Sequence, residues 1–289
     1  MDHLSDIAKA TVSKSIHERI EYIDSRIWIP YPNSVAILKK FNSFLTRPKV
    51  ERMPNIFLTG DSNNGKTELL HEFDKKFQPY IIPGIGPKLD VLLIQAPPRA
   101  DEARLYGLIL KKLNVAHSWN EKVSKKYYQV EQVLSSLDVK ILIIDEIHNI
   151  ITGTYNKQRE FLTVLKFLTN QLKIILIVAG TKDARRVINT DEQLANRFQP
   201  IELPRWSLNK EYLQLLASFE SKLPLKKPSN LVSRDLATKI FDMSEGLLGE
   251  ISWIIKESAK LAIENGDEII EGQTIDAIDY VSPSQRRKI

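Results

Sequence analysis

The stretch Gly60-Asp61-Ser62-Asn63-Asn64-Gly65-Lys66-Thr67 constrains this chain more than any other. It leaves the apolar segment Asn55-Ile56-Phe57-Leu58-Thr59 and enters Glu68-Leu69-Leu70, so the pattern predicts a strand, a tight loop and then a helix. The spacing is that of a phosphate-binding loop, G-x-x-x-x-G-K-[ST]. In that setting the loop amides and the helix N-terminus point together at a polyphosphate. Lys66 then brings a positive charge to the β- and γ-phosphates, and the Thr67 hydroxyl is offered to Mg²⁺. Gly60, Asp61, Ser62, Asn63, Asn64, Gly65, Lys66, Thr67 and Glu68 are the expected cradle of ATP; a plain Gly/Asn-rich turn is the other reading of the same residues.

A second motif bears on that choice. Ile141-Leu142-Ile143-Ile144 is a short apolar run ending in Asp145-Glu146, which reads as a fully buried parallel strand with two carboxylates at its carboxyl end. Ligands bind at that end of open α/β sheets. Asp145 is expected to hold magnesium through water, and Glu146 to act as general base on the attacking water. Carboxylates also end strands simply because strands end at the surface. A further run, Ile174 to Val178, leads into Ala179-Gly180-Thr181, where Thr181 either orients water near the γ-phosphate or caps the following helix. Gln193-Leu194-Ala195-Asn196-Arg197-Phe198 is expected to close a helix before the strand Ile201-Glu202-Leu203, with Arg197 a candidate arginine finger reaching into a neighbouring subunit's site or an ordinary solvated arginine.

Around these motifs, Ser34 is placed as the cap of a helix to about Leu45. A helix follows the phosphate loop to about Phe77, then a loop through Pro79, Pro83, Gly84, Gly86 and Pro87, then a strand Val91–Ile94. Helices are expected from Asp101 to Leu113, up to Leu137, and from Lys157 to Asn170. Strands alternating with helices predict a parallel sheet covered on both faces. Beyond Pro204 only helical periodicity remains. The expected organisation is therefore a helical extension over 1–33, an α/β nucleotide-binding domain over 34–204, a small all-helical domain over 205–281 and a basic tail over 282–289.

Composition narrows the chemistry. Zero cysteines among 289 residues exclude disulfides, thiolate metal sites and cysteine nucleophiles, and the five histidines form no ligand-spaced pair. Any catalytic metal is expected to be a hard, oxygen-bound ion. A net charge of +5 is compatible with nucleic acid without establishing it. No apolar run approaches the roughly 18 to 20 residues that span a bilayer, and Met1-Asp2-His3-Leu4-Ser5-Asp6 lacks a signal-peptide layout, so a cytosolic protein is expected.

The order GDSNNGKT, ILIIDE, VAGT and LANRF followed by a helical region resembles an AAA+ ATPase, and the finer text resembles the TniB branch of the TniB/TnsC transposition ATPases. That text comprises Tyr31-Pro32, Arg52-Met53-Pro54-Asn55, Ile94-Gln95-Ala96-Pro97-Pro98, Asp145-Glu146-Ile147-His148-Asn149 and Ser244-Glu245-Gly246-Leu247-Leu248-Gly249-Glu250-Ile251. The resemblance implies an AAA+ α/β core with a helical lid, ATP and Mg²⁺ as cofactors, and self-assembly into rings or filaments on double-stranded DNA. It also implies a DDE transposase and a TniQ-like target-selection protein as partners, a place in the bacterial cytosol at the nucleoid, and the finger role for Arg197. Slow, assembly-dependent hydrolysis is expected, because a lid arginine that contacts the γ-phosphate in many such ATPases is replaced here by Glu250. In similar oligomers the region between the second and third strands lines the DNA channel, which makes Arg99, Arg104, Lys111, Lys112, Lys122, Lys125 and Lys126 candidates for tracking phosphates, with Lys125-Lys126-Tyr127-Tyr128 the preferred cluster. The competing readings are a nucleotide-switched interaction module with little hydrolysis and a replication-type AAA+ ATPase. No winged-helix pattern follows the helical region, and no metal triad for strand transfer is evident.

Overall fold

The structure is a computed structural model that describes residues 2–189 and 195–288, the side chain of Val187 excepted. The described residues form two compact units. One comprises residues 34–62 and 66–203; the other comprises residues 1–33, 63–65 and 204–289.

The first unit is built on five parallel strands: β1 (Asn55–Gly60), β4 (Val91–Gln95), β5 (Ile141–Asp145), β6 (Ile175–Gly180) and β7 (Phe198–Leu203), in the order β4-β5-β6-β1-β7. Every residue of β1, β5 and β6 is buried, which is why their central residues Ile56–Leu58, Ile141–Ile144 and Ile175–Ala179 read as apolar runs. Helices α4 (Lys66–Asp74), α5 (Glu102–Lys112), α6 (Val123–Ser136), α7 (Tyr155–Leu172) and α8 (Lys182–Ile188) connect them. The core runs through Leu142, Ile144, Leu176 and Val178 of the sheet to Leu105, Ile109, Val130, Leu134, Leu162 and Leu165 of the helices. Because the strands are parallel, Gly60, Gln95, Asp145 and Gly180 all end at one edge, and β6, the strand leading to Thr181, lies between β1 and β5.

Several local expectations need correction. The segment from Pro79 to Pro87, expected as a loop, contains an antiparallel hairpin of β2 (Tyr80–Ile82) and β3 (Gly86–Lys88). Gly84, at positive φ, turns the chain between the two strands, and Gly86, also at positive φ, opens β3. Helix α3 spans Pro32–Leu45, so Ser34 lies within its first turn instead of capping it; a proline at the first helical position is favourable because its missing N–H has no intrahelical partner anyway. Helix α4 ends at Asp74, earlier than Phe77.

The second unit is helical: α1 (Asp6–Val12), α2 (Ile16–Asp24), α9 (Lys210–Glu220), α10 (Arg234–Ser244), α11 (Leu248–Glu264), α12 (Gly272–Asp276) and α13 (Pro283–Arg286). Ile23 and Ile29 from the N-terminal segment share a core with Tyr212, Leu216, Ile240, Ile251, Ile254 and Ile263. Buried Arg19 joins them, donating to the Pro224 carbonyl and, through a fork, to the Glu268 carboxylate, with one bond of 2.9 Å. Among the described residues no helix is long and apolar enough to cross a membrane.

Candidate nucleotide-binding site

The chain leaves β1 at Gly60 and enters α4 at Lys66, so the loop between them sits at the carboxyl edge of the sheet with a helix N-terminus behind it. Gly65, at φ +83°, makes the turn into that helix in a conformation that side chains rarely adopt. The buried Lys66 ammonium donates to the carbonyl oxygens of Gly60 (2.9 Å) and Asp61 (2.8 Å). Burial holds its pKa below the usual lysine range, while Glu146, Asp145 and Asp61 pull it back. An arriving polyphosphate acts in the same direction as those carboxylates. Ser62 is exposed and Glu68 sits in the first turn of α4, where a negative charge suits the helix dipole.

Thr67 and Asp145, far apart in sequence, meet at this edge: the Thr67 hydroxyl donates to Asp145 Oδ2 at 2.6 Å. A hydroxyl and a carboxylate side by side are hard oxygen donors that fit Mg²⁺. Among the described residues no cluster of three or more acidic or histidine side chains offers a metal cage. The pair therefore fits an ion that arrives with phosphates, which is how Mg²⁺ is commonly held. Glu146 follows in a left-handed conformation (φ 56°) and donates its N–H to Asp145 Oδ1 at 2.8 Å. Its carboxylate lies 3.1 Å from His148 Nε2, a neighbour that the residue pattern did not single out. A cavity of about 700 Å³ is lined by Thr67, Gln95, Lys111, Lys112, Asp145 and Glu146. Thr181 follows β6 at the same edge, and its carbonyl accepts the Ala184 N–H at 3.1 Å.

The tip of the phosphate loop is tied to the start of α11. The N–H groups of Leu248 and Gly249 would be orphans at that helix start. They donate instead to Asn64 Oδ1 (3.3 Å) and to the Asn63 carbonyl (2.9 Å). Asn64 Nδ2 in turn donates to the Pro204 carbonyl at 2.9 Å. A Cβ at Gly249 would stand 1.9 Å from Asn63 Oδ1, so any side chain there has to push the Asn63 side chain aside. Glu250, where an arginine was the common alternative, is buried. It accepts from Asn63 Nδ2 (2.9 Å), from the Tyr280 hydroxyl (2.8 Å) and from the Arg286 guanidinium. Burial together with the Glu250 contact pushes the Tyr280 hydroxyl pKa up. Asn63 and Asn64 are thus held through their side chains, and Arg286 of the expected basic tail is part of that arrangement.

Arg197 is placed elsewhere. It precedes β7, at the amino edge of the sheet, and donates to Asn170 Oδ1 at 2.5 Å. Since Gly60 pairs with Leu203 at the far end of β7, the phosphate loop lies about 20 Å along the strand from Arg197. Gln193 and Leu194 of the expected helix lie outside the described residues.

The structure separates the seven basic candidates. Arg99, Arg104, Lys122 and Lys125 are exposed; Arg104 lies 3.8 Å from Asp101, and Lys125 pairs with Glu121 at 2.7 Å. Lys126 corrects the preferred cluster. It is 1% exposed, and its ammonium donates to the Trp119 carbonyl at 2.8 Å and lies over the Trp119 ring. Tyr127 packs between Tyr106 and Phe167. Helical spacing puts one face of α6 against the core, and these two residues fall on it. Lys111 and Lys112 border the cavity with Asp145 and Glu146 and end α5, where positive charge suits the dipole.

A family model described as "Bacterial TniB protein" matches residues 19–208. The chain belongs to the TniB family. No curated protein matches it. Among solved structures, Cdc6p from Pyrobaculum aerophilum superimposes with a TM-score of 0.62 at 17% identity, over 86% of this chain and 67% of that one. The Aeropyrum pernix ORC1 protein in complex with DNA gives 0.62 at 13%, over 93% and 69%. Drosophila ORC bound to DNA gives 0.58 at 15%, over 91% and 65%. At these identities the likeness establishes the fold alone: this TniB-family chain has the AAA+ P-loop NTPase fold, with a parallel sheet between helices and a helical second unit.

Proposed function

We propose that this TniB-family protein binds and slowly hydrolyses ATP with Mg²⁺, assembles on double-stranded DNA in the ATP-bound state, and directs a DDE transposase together with a TniQ-like target-selection protein. The observation that carries the nucleotide part is the Thr67–Asp145 hydrogen bond of 2.6 Å beside the buried Lys66, at the edge where β1 and β5 end. Family membership supports the transposition part.

In this reading residues 34–204 form the nucleotide-binding domain and 205–281 the lid. Lys66 exchanges the carbonyls of Gly60 and Asp61 for phosphate oxygens. Thr67 and Asp145 would hold Mg²⁺, which when bound would supply charge neutralisation to the phosphates. Glu146 accepts the proton of the attacking water, Thr181 orients that water, and Arg197 serves the site of a second copy. Phosphate tracking on DNA falls to Arg99, Arg104, Lys122 and Lys125, the exposed basic candidates outside the Lys111–Lys112 cavity. Binding of a labelled duplex, titrated with and without ATP over a range of salt, tests the proposal. The duplex should bind only with ATP, with affinity falling linearly in log salt, and Lys66→Ala should abolish that binding. Nucleotide-independent DNA binding, or ordinary ATP affinity in a folded Lys66→Ala protein, would contradict it.

A further inference from the structure

The start of α11 and the segment after α12 meet around one carboxylate. Glu250 is buried, and its two oxygens face different partners. Oε1 accepts from Asn63 Nδ2 at 2.9 Å, whereas Oε2 accepts from the Tyr280 hydroxyl at 2.8 Å and from the Arg286 guanidinium. All of these residues belong to the second unit. A buried negative charge one side chain away from a phosphate loop opposes a polyphosphate, and a paired guanidinium cancels that opposition.

Several contacts fix the segment that carries Arg286. Its Nε donates to the Val281 carbonyl at 2.8 Å, and its guanidinium carbon stands 5.7 Å from the centroid of the Tyr280 ring, a cation–π contact. The Tyr280 ring packs in turn on Trp253 of α11, with centroids 5.3 Å apart. The Ser284 N–H donates to Glu245 Oε1 at 2.7 Å, so residues 280–286 hold both sides of the turn that carries Gly246 and Gly249. The Arg286 side chain is nonetheless 49% exposed, against 8% for Glu250. The counter-ion can thus be removed without opening the core, while the charge it covers stays buried.

Asn63 carries this arrangement into the loop. Its backbone is left-handed, at φ 59°, a conformation unfavourable for residues with a side chain, of which asparagine tolerates it best. The bond to Glu250 holds the Asn63 side chain, and with it that backbone, in the stretch proposed to present amides to phosphate. We infer that Tyr280 and Arg286 form a strap that sets the ATP affinity of the phosphate loop: Arg286 neutralises Glu250, and Glu250 positions Asn63. The inference rests on the proposed nucleotide function. It gives Glu250 a purpose in the place where an arginine was the common alternative, because the positive charge comes here from Arg286 and acts through the carboxylate. Glu250, Tyr280 and Arg286 are positioning residues in this account.

The test titrates the full chain, with Mg²⁺ and without DNA, against a fluorescent ATP analogue. Arg286→Ala should lower affinity about tenfold, within the usual range for coupled sites, while the melting temperature of the nucleotide-free protein changes little. Combining it with Glu250→Gln should recover most of the loss, so that the double variant binds like Glu250→Gln alone. No charge is then left to cover, and the glutamine oxygen still accepts from Asn63. Arg287→Ala, the same change of charge one residue on, should bind like wild type. Tyr280→Phe, which removes a donor from the same carboxylate oxygen and keeps the ring, should lower affinity in the same direction and carries the test if Arg286→Ala does not fold. Wild-type affinity in Arg286→Ala overturns the inference and leaves the nucleotide function standing. A loss that Glu250→Gln does not relieve, or that Arg287→Ala matches, also overturns it, since either places the effect outside the carboxylate. A wild-type protein that does not bind the analogue removes the nucleotide function, and the inference with it.

Discussion

Arg19 and Glu268 show what a single residue pair contributes to this molecule. Both side chains are at least nine-tenths buried, and the pair joins the N-terminal segment to the loop after α11. Hydrogen bonds from Arg19 outweigh the opposing effect of burial and, with Lys226, hold the Glu268 carboxyl at about 2, against an ordinary 4.5. Because the folded value is depressed, the stability this carboxylate contributes is fully present above pH 4.5 and is lost as pH falls from there toward about 2. Removing one partner leaves a buried charge uncompensated, so Arg19→Ala should destabilise the fold by about 3 to 5 kcal/mol. Chemical denaturation at several pH values measures both effects. Glu268→Gln should flatten the acid limb, and an unchanged limb would show that other carboxylates govern it.

At the scale of elements, helix α11 and the phosphate loop complete each other. The helix start has no side-chain cap of its own, and Asn63 and Asn64 supply its acceptors. Gly249→Ala should therefore displace Asn63 and lower ATP affinity by about tenfold or more, the equivalent of about 1.4 kcal/mol, while the melting temperature changes little. Titration of a fluorescent nucleotide reads this directly, and wild-type affinity would show that the loop tip does not depend on the helix. This dependence could not be read from the sequence, because Asn63 and Gly249 are distant along the chain and neither residue type announces the other. The strands were legible for a physical reason: β1, β5 and β6 are buried on both faces, and each carries an apolar run at its centre. The strand–loop–helix around Gly60–Lys66 and the place of Asp145 at the end of β5 were legible because their residue types follow such strands directly. Hairpin β2–β3 was not, since exposed Ile81 and Ile85 flank Pro83 and Gly84 without a clear alternation. Lys126 misled because charge suggests solvent, whereas its stem lies in the core and only its ammonium needs a partner.

Across the whole molecule, the candidate chemistry is divided between opposite edges of one sheet. Lys66, Thr67, Asp145 and Glu146 stand at the carboxyl edge, and Arg197 at the amino edge. In the proposed reading a single copy holds both halves of a site without joining them, and self-assembly brings the halves of two copies together. Glu146→Gln keeps the shape of the side chain and removes the carboxylate proposed as general base, a change expected to cost roughly 10² to 10⁴ in rate. Arg197→Ala leaves the first edge intact and removes the group proposed to serve a neighbour. Each variant alone should bind ATP, assemble on DNA and turn over slowly. The most direct measurement is ATP turnover by an equimolar mixture of the two on duplex DNA. The account predicts that activity rises well above either variant alone, because an intact Glu146 from one copy meets an intact Arg197 from the next. A mixture that assembles on DNA and recovers nothing would contradict it.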